Sequence, residues 1–79
     1  MKIKYIKESD SLFVIFSNSK SVDSVEIADG VIADYDHAGN LIGIEFYSAK
    51  DKIDLNNLQL EELPFYNIQM KKEDIMLPV

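Results

Sequence analysis

The chain has 79 residues, which is enough for one domain but for only a thin core. Its hydrophobic content of 47% is that of a globular chain, and the absence of Cys excludes disulfides. The net charge is −6 and Arg is missing, so the chain lacks the basic face that nucleic-acid binding requires. No apolar run approaches the roughly 20 residues that span a bilayer.

These numbers also set expectations for location. The charged start MKIKYIKESD is unlike a signal peptide, and the absence of Cys fits a reducing compartment. We therefore expect a cytoplasmic protein with no nucleic-acid and no membrane partner.

Five short apolar segments separated by turn residues predict a β-sheet. The segments are KIKYI (2–6), LFVIF (12–16), VDSVEIA (22–28), VIADYD (31–36) and NLIGIEFY (40–47). An irregularity is expected near Ser24, and the dipeptide Asp29-Gly30 is a hairpin signal. The connections are short, which favours an antiparallel meander of about five strands and hence a mostly β fold.

The composition changes after Tyr47, where Asn, Lys and acidic residues become frequent. Residues 56–63 fit a short helix that Asn57 caps and Pro64 ends, and residues 65–70 fit a sixth strand. The alternative is a loosely packed arm that ends in the apolar tail 73–79. We therefore divide a single domain, 1–79, into a strand-rich core (1–49) and a C-terminal arm (50–79) with short helical or irregular structure, so an α+β fold stays open.

The segment DYDHAGNLIGIE (34–45) has the spacing of a calcium-binding EF-hand loop. Position 5 of the loop is Ala38, however, which offers no side-chain oxygen ligand, and the flanking segments have strand rather than helix character. A tight hairpin accounts for the same residues: Asp36 opens the turn and Gly39 supplies a positive φ. We expect a structural hairpin and no metal site.

The hairpin also predicts a register. Asp36 would face Asn40, Tyr35 would face Leu41, and the pairing would continue without interruption. Glu45 would then lie on the opposite face from Asp34 and Asp36, which is a further argument against calcium. Tyr35 would lie diagonally over Gly43, a packing role for the ring.

Few residues offer catalytic chemistry. His37 is the only His and is expected at the exposed tip of the hairpin, and the serines read as loop residues. The remaining candidates are the carboxylates Asp34, Asp36 and Glu45, of which Asp34 and Asp36 would share one face at a spacing suited to acid–base work. We predict no catalytic site and no cofactor.

The same segments carry a family resemblance. MKIKYIKESDSLFVIF and GVIADYDHAGNLIGIEFYSA resemble the uncharacterised prokaryotic family called domain of unknown function 2283, over residues 1–49. Members typically open with M-x-I-x-Y and D-x-L and later show G-[VI]-x-x-[DE]-[YF]-[DN]-x-x-G-N-L-x-G-[IV]-E. The resemblance implies no activity. Some members look like partners of small toxin-like proteins, which implies antitoxin-type binding for a subset.

Three functions remain open. The first is a non-enzymatic protein-interaction module, in one version an antitoxin-like partner of another small protein. The alternatives are a small carboxylate-dependent hydrolase or lyase that uses Asp34 and Asp36, and a structural self-assembling domain. Because a single small sheet covers only one face well, a homodimer or larger homo-oligomer is expected.

Overall fold

The computed structural model describes residues 1–71, which form one five-stranded antiparallel sheet. The strands are β1 (Lys2–Ile6), β2 (Ser11–Ile15), β3 (Asp23–Ala28), β4 (Val31–Tyr35) and β5 (Leu41–Tyr47). Two single 3₁₀ turns, Lys7–Ser9 and Ala49–Asp51, are the other regular elements of the described residues. The predicted mostly β, five-stranded antiparallel fold is confirmed.

The order of the strands across the sheet is β1-β2-β5-β4-β3. Neighbours follow the chain within the β1–β2 hairpin and within β3–β4–β5, as in a meander. The connection from β2 to β3 (residues 16–22) instead passes β5 and β4, which places β2 beside β5. It is tied at both ends, because the Phe16 amide donates to the Ile42 carbonyl (2.8 Å) and the Val22 amide donates to the Tyr35 carbonyl (2.9 Å).

The register gives the sheet two chemically different faces, since facing residues of an antiparallel pair project to the same side. We call the first the apolar face. Apart from Asp23 at its rim, its residues are Ile3, Tyr5, Leu12, Val14, Val25, Ala28, Val31, Ala33, Tyr35, Leu41, Ile44 and Phe46. The polar face carries Lys2 and Lys4 at one edge, Ser24 and Glu26 at the other, and Phe13, Ile32, Asp34, Glu45 and Tyr47 between them.

The described part of the chain has a very small core. Its buried hydrophobic residues are Leu12, Ala33, Ile42 and Ala49. On the apolar face, Ile3, Val25 and Leu41 are 51, 45 and 44% exposed, and apart from Leu12 the large side chains between them are only half-buried. Within residues 1–71 the apolar face therefore has no complete second layer.

Asp10 joins the end of β5 to the β1–β2 turn. It has a left-handed backbone (φ 49°), which Asp tolerates better than most residues. Its carboxylate accepts hydrogen bonds from the Tyr5 hydroxyl (2.8 Å) and the Lys50 amide (3.2 Å), and its carbonyl accepts one from the Ala49 amide (2.9 Å). These bonds hold the second 3₁₀ turn against the sheet and explain why Ala49 is fully buried.

Beyond this anchor, the C-terminal arm is irregular. The helix predicted over 56–63 and the strand predicted over 65–70 do not form, so both interpretations were wrong and the loosely packed alternative holds for residues 54–71. Short isolated helices are marginal in water, and Glu62 has a positive φ of 53° that no α-helix contains. The tail prediction for 73–79 lies outside the described residues.

Two smaller expectations concern the strands and the bilayer. The irregularity predicted near Ser24 occurs instead at Ile27, where the register shifts between Glu26 and Ala28. Within residues 1–71, no helix is long and apolar enough to cross a membrane.

Substituting Asp10 by Ala should loosen the second 3₁₀ turn. The change removes an acceptor from two donors and places Ala in a left-handed conformation, so we expect a loss of roughly 1–3 kcal/mol in unfolding free energy. Asp10→Asn keeps an acceptor oxygen and the tolerance for positive φ, so it should lose clearly less. Urea unfolding of the three proteins measures this; equal stability of Asp10→Ala and wild type would contradict the role given to Asp10.

Candidate functional site

A β-bulge in the β4–β5 hairpin changes which side chains meet. Tyr35 faces Leu41 as predicted, but Ile42 is an extra residue, so Asp34 faces Gly43 and Ile32 faces Glu45. The uninterrupted register was therefore wrong by one residue from Asp34 onward. Because a one-residue slip reverses the face of every following side chain, Glu45 lies on the same face as Asp34 and not on the opposite one.

Asp34 and Glu45 consequently form a carboxyl pair on the polar face. The Ser24 hydroxyl donates to Asp34 Oδ1 (2.6 Å), and the Tyr47 hydroxyl donates to Glu45 Oε1 (2.5 Å). The Tyr47 ring meets the Phe13 ring edge to face, with centroids 6.4 Å apart. Side chains from β2, β3, β4 and β5 thus meet around the two carboxyl groups.

The pKa of Glu45 is raised above that of a lone glutamate. The hydrogen bond with Asp34 raises the pKa of Glu45 most, partial burial raises it further, and repulsion by the Asp34 charge acts in the same direction. The hydrogen bond from Tyr47 opposes this by favouring the ionised form. In turn, the bond to Glu45 raises the pKa of Tyr47. A protonated Glu45 can donate to Asp34, whereas two ionised carboxylates repel each other.

Asp36 does not belong to the pair. Its carboxylate accepts hydrogen bonds from the Asn40 amide (2.9 Å), the Asn40 side chain (3.1 Å) and the Ala38 amide (3.0 Å). These donors, above all the Asn40 amide, lower the pKa of Asp36. The structure therefore gives Asp36 a turn-forming role and pairs Asp34 with Glu45 rather than with Asp36.

The two hairpin glycines meet different requirements. Gly39 has a φ of +84° and open space around it, so the turn needs its backbone conformation. Gly43 needs the space, since a Cβ there would lie 3.1 Å from the Val14 carbonyl oxygen and 4.0 Å from Asp34 Oδ2. The packing predicted between Tyr35 and Gly43 is not present, because the bulge puts Tyr35 on the apolar face and Gly43 opposite Asp34.

The segment 34–45, which has the spacing of a calcium-binding loop, places its carboxylates differently from the predicted register. Among residues 1–71, no three His, Cys, Asp or Glu side chains come close enough together to hold an ion. The argument that Glu45 faces away from Asp34 was wrong, but Asp36 is committed to its turn amides. His37 is exposed, as predicted, in the turn between β4 and β5.

A small open pocket lies beside Asp34, but Glu45 is not part of its lining. Its volume is about 170 Å³, and its lining includes Asp34, Gly43 and the serines of the β2–β3 connection, Ser17, Ser19 and Ser21. The sequence did not predict that the β2–β3 connection lies close to Asp34. It also did not predict the hydrogen bonds of Ser24, Tyr47 and Asp10. The strand order and the bulge, which bring these residues together, leave no mark in local sequence patterns.

Substituting Glu45 by Gln tests the shared proton through its pH dependence. A raised folded-state pKa means that protonated Glu45 stabilises the fold, and this contribution is lost as the pH rises through that pKa. Gln stays neutral and can donate to Asp34. We expect Glu45→Gln to unfold at a higher temperature than wild type at neutral pH. The expected gain in unfolding free energy is roughly 0.2–1 kcal/mol, the scale of cross-strand pairs.

The advantage should shrink as the pH is lowered from about 7 to about 4, where wild-type Glu45 gains its own proton. Thermal unfolding followed by circular dichroism across that range gives the comparison. Asp34→Asn is the matched control, because it removes the other charge of the pair and should reproduce the effect. If both variants differ from wild type by a constant amount at every pH, the pair does not share a proton.

Comparison with known proteins gives one match. A family model described as "Protein of unknown function (DUF2283)" matches residues 2–50, which include all five strands and the carboxyl pair. No curated protein and no solved structure showed significant similarity to the chain. Since the match covers more than half of the sequence and agrees with the motif in β1, β4 and β5, the chain belongs to the DUF2283 family.

Proposed function

We propose that this chain is a non-enzymatic protein-interaction module and that its binding surface is the apolar face of the sheet. One observation carries the proposal: the face presents large apolar side chains from all five strands, while few hydrophobic residues are buried in residues 1–71. Large exposed apolar patches on soluble proteins are characteristic of binding surfaces. The hydrophobic effect drives such a face toward a partner.

The most economical partner is a second copy of the chain, which makes a homodimer or larger homo-oligomer. Two antiparallel sheets that pack face to face form a sandwich with alternating inward apolar residues. The net charge of −6 opposes self-association, but the only charge on the apolar face is Asp23 at its rim. Two copies can therefore meet there without burying like charges at the centre.

The two sheet edges are less suited to binding. Lys2 and Lys4 lie on the free edge strand β1, and the bulge at Ile27 distorts the free edge strand β3. Lysines and bulges on edge strands are the devices by which proteins prevent strand addition. This favours the face over an edge as the docking surface.

A partner of different sequence is the finer version of this proposal. The acidic charge suits a small basic protein, which an antitoxin-like role would require, because opposite potentials speed encounter. Such a partner would compete with self-association for the same face. A pull-down from native lysate that recovers the chain alone would weigh against this version and leave self-association, including a purely structural assembly, in place.

Substituting Val25 by Lys should weaken self-association. Val25 lies near the rim of the apolar face and is 45% exposed, so the fold tolerates a charge there but a face-to-face contact does not. We expect the wild type to sediment above its monomer mass of 9.0 kDa, and Val25→Lys to shift toward it. The dissociation constant should rise about tenfold or more, equivalent to roughly 1.4 kcal/mol.

The matched control is Glu26→Gln, which changes the net charge by the same one unit one residue away on the polar face and keeps an acceptor oxygen for the Gly30 amide. It should keep the wild-type mass. A wild type that sediments as a monomer at high concentration would contradict the homo-oligomer, and equal effects of the two variants would show that charge rather than the face is responsible.

Acid–base catalysis at the carboxyl pair is the second candidate function. A carboxyl group with a raised pKa beside a second carboxyl group is an arrangement that hydrolases and lyases use. The pair Asp34–Glu45 replaces Asp34–Asp36 in this candidate. This candidate predicts that the protein turns over a chromogenic ester, phosphate or glycoside substrate. Asp34→Asn should abolish that turnover without lowering the melting temperature.

A further inference from the structure

The outer arm, residues 54–71, carries many large apolar side chains that the described chain leaves partly or fully exposed. Every residue of the outer arm is exposed. The large apolar ones are Leu55, Leu58, Leu60, Leu63, Phe65, Tyr66, Ile68 and Met70, with exposures from 37% at Leu55 to 103% at Tyr66. A flexible, polar tether has no need of so many leucines and aromatic rings, which points to a segment that binds something.

The start of the outer arm is fixed in space. The Asp10 hydrogen bonds hold Ala49 and Lys50 beside the β1–β2 turn, and the Lys52 ammonium donates to the Tyr47 carbonyl. From residue 54 to residue 71 the arm has 18 residues, which span up to about 59 Å at ~3.3 Å per residue. A five-stranded sheet is only about 19 Å across at ~4.8 Å per strand spacing. The arm is thus long enough to reach well past its own sheet.

The apolar face alone is small for a stable dimer. Five strands of about five residues give a footprint of about 19 by 17 Å, or roughly 320 Å². A standard interface buries about 800 Å² on each partner. The outer arm holds the missing apolar area, and its anchored start places it at the border of the sheet.

Charge favours an arm that passes the β1 edge of another copy. The described arm carries Asp54, Glu61 and Glu62 against the single cation Lys71, whereas the β1 edge and its following turn carry Lys2, Lys4 and Lys7 against the single acid Glu8. Complementary charges at an interface rim steer the approach of two surfaces and set their orientation.

We propose that the outer arm of each copy clasps the second copy, so that arm leucines and aromatic rings of one chain pack at the rim of the apolar face of the other. This inference rests on the proposed self-association and names its occupant: a second copy that contributes both its sheet face and its arm. Exchange of a terminal segment between identical chains is a common route to stable dimers.

Cross-linking between differently tagged copies tests the clasp, and the Cys-free sequence makes it clean. One copy carries Leu60→Cys in the arm. The other carries Ile3→Cys or Val25→Cys, at opposite rims of the apolar face. After the copies are mixed by joint refolding, a short bismaleimide should link the two different tags at one or both rim positions. Lys4→Cys and Glu26→Cys, the neighbouring residues on the polar face, serve as matched controls and should link far less.

A chain that carries both Leu60→Cys and the reactive rim cysteine, diluted with excess wild type, separates exchange from self-folding. Exchange predicts that dilution removes the link, and a link within the single chain would overturn the proposal. In parallel, Leu58→Ser and Leu60→Ser should each raise the dimer dissociation constant roughly tenfold. A dimer of normal affinity without any arm link overturns the clasp alone, whereas a monomeric wild type overturns the proposed self-association as well.

Discussion

The constraint on which this protein depends is that a single-layer sheet cannot bury its own apolar face. The five strands pair through their backbones, but the side chains of Val14, Ile44 and Phe46 stay only half-buried. A chain of this size gains little from its core, and disulfides are excluded by its composition. Within the strands, the charged side chains lie on the polar face, apart from Asp23 at the rim of the apolar face. The apolar face therefore requires a second layer that the described residues do not provide. The lysines of β1 and the bulge of β3 direct association away from the edges, and the exposed apolar side chains of the arm are available to complete that layer.

The bulge at Ile42 is the local feature with the widest chemical consequence. It slides β5 by one residue against β4, which brings Glu45 to Asp34 and turns Tyr35 away from Gly43. The polar face thereby gains a carboxyl pair that Ser24 and Tyr47 hydrogen-bond and in which the pKa of Glu45 is raised. The pair sits behind the proposed binding face, so a change in its protonation bears on the stability of the sheet that carries that face.

Sequence patterns predicted the five strands to within a residue or two, because alternating and β-branched segments are bounded by strong turn residues. They also placed Asp36 and Gly39 in the turn, where the chemistry is local. The register beyond Tyr35 could not be predicted, since an extra residue at Ile42 is accommodated by tertiary packing and leaves no signal in the sequence. For the same reason the carboxyl pair was missed, and the position of β2 beside β5 depends on a connection whose path no local pattern records. The helix predicted over 56–63 does not form, although Asn57 and Pro64 are signals for a helix start and end. Among the described residues, the apolar side of such a helix would have no surface to pack on.

Isotope-filtered nuclear Overhauser spectroscopy on an equal mixture of ¹³C-labelled and unlabelled protein tests the burial of the apolar face most directly. The account predicts contacts between methyl groups of Val14 and Ile44 in the labelled copy and apolar-face side chains of the unlabelled copy. Those residues form the centre of the face and project away from both edges. A complete absence of intermolecular contacts to these methyl groups at concentrations where the protein is dimeric, with contacts found at β1 or β3 instead, would contradict it.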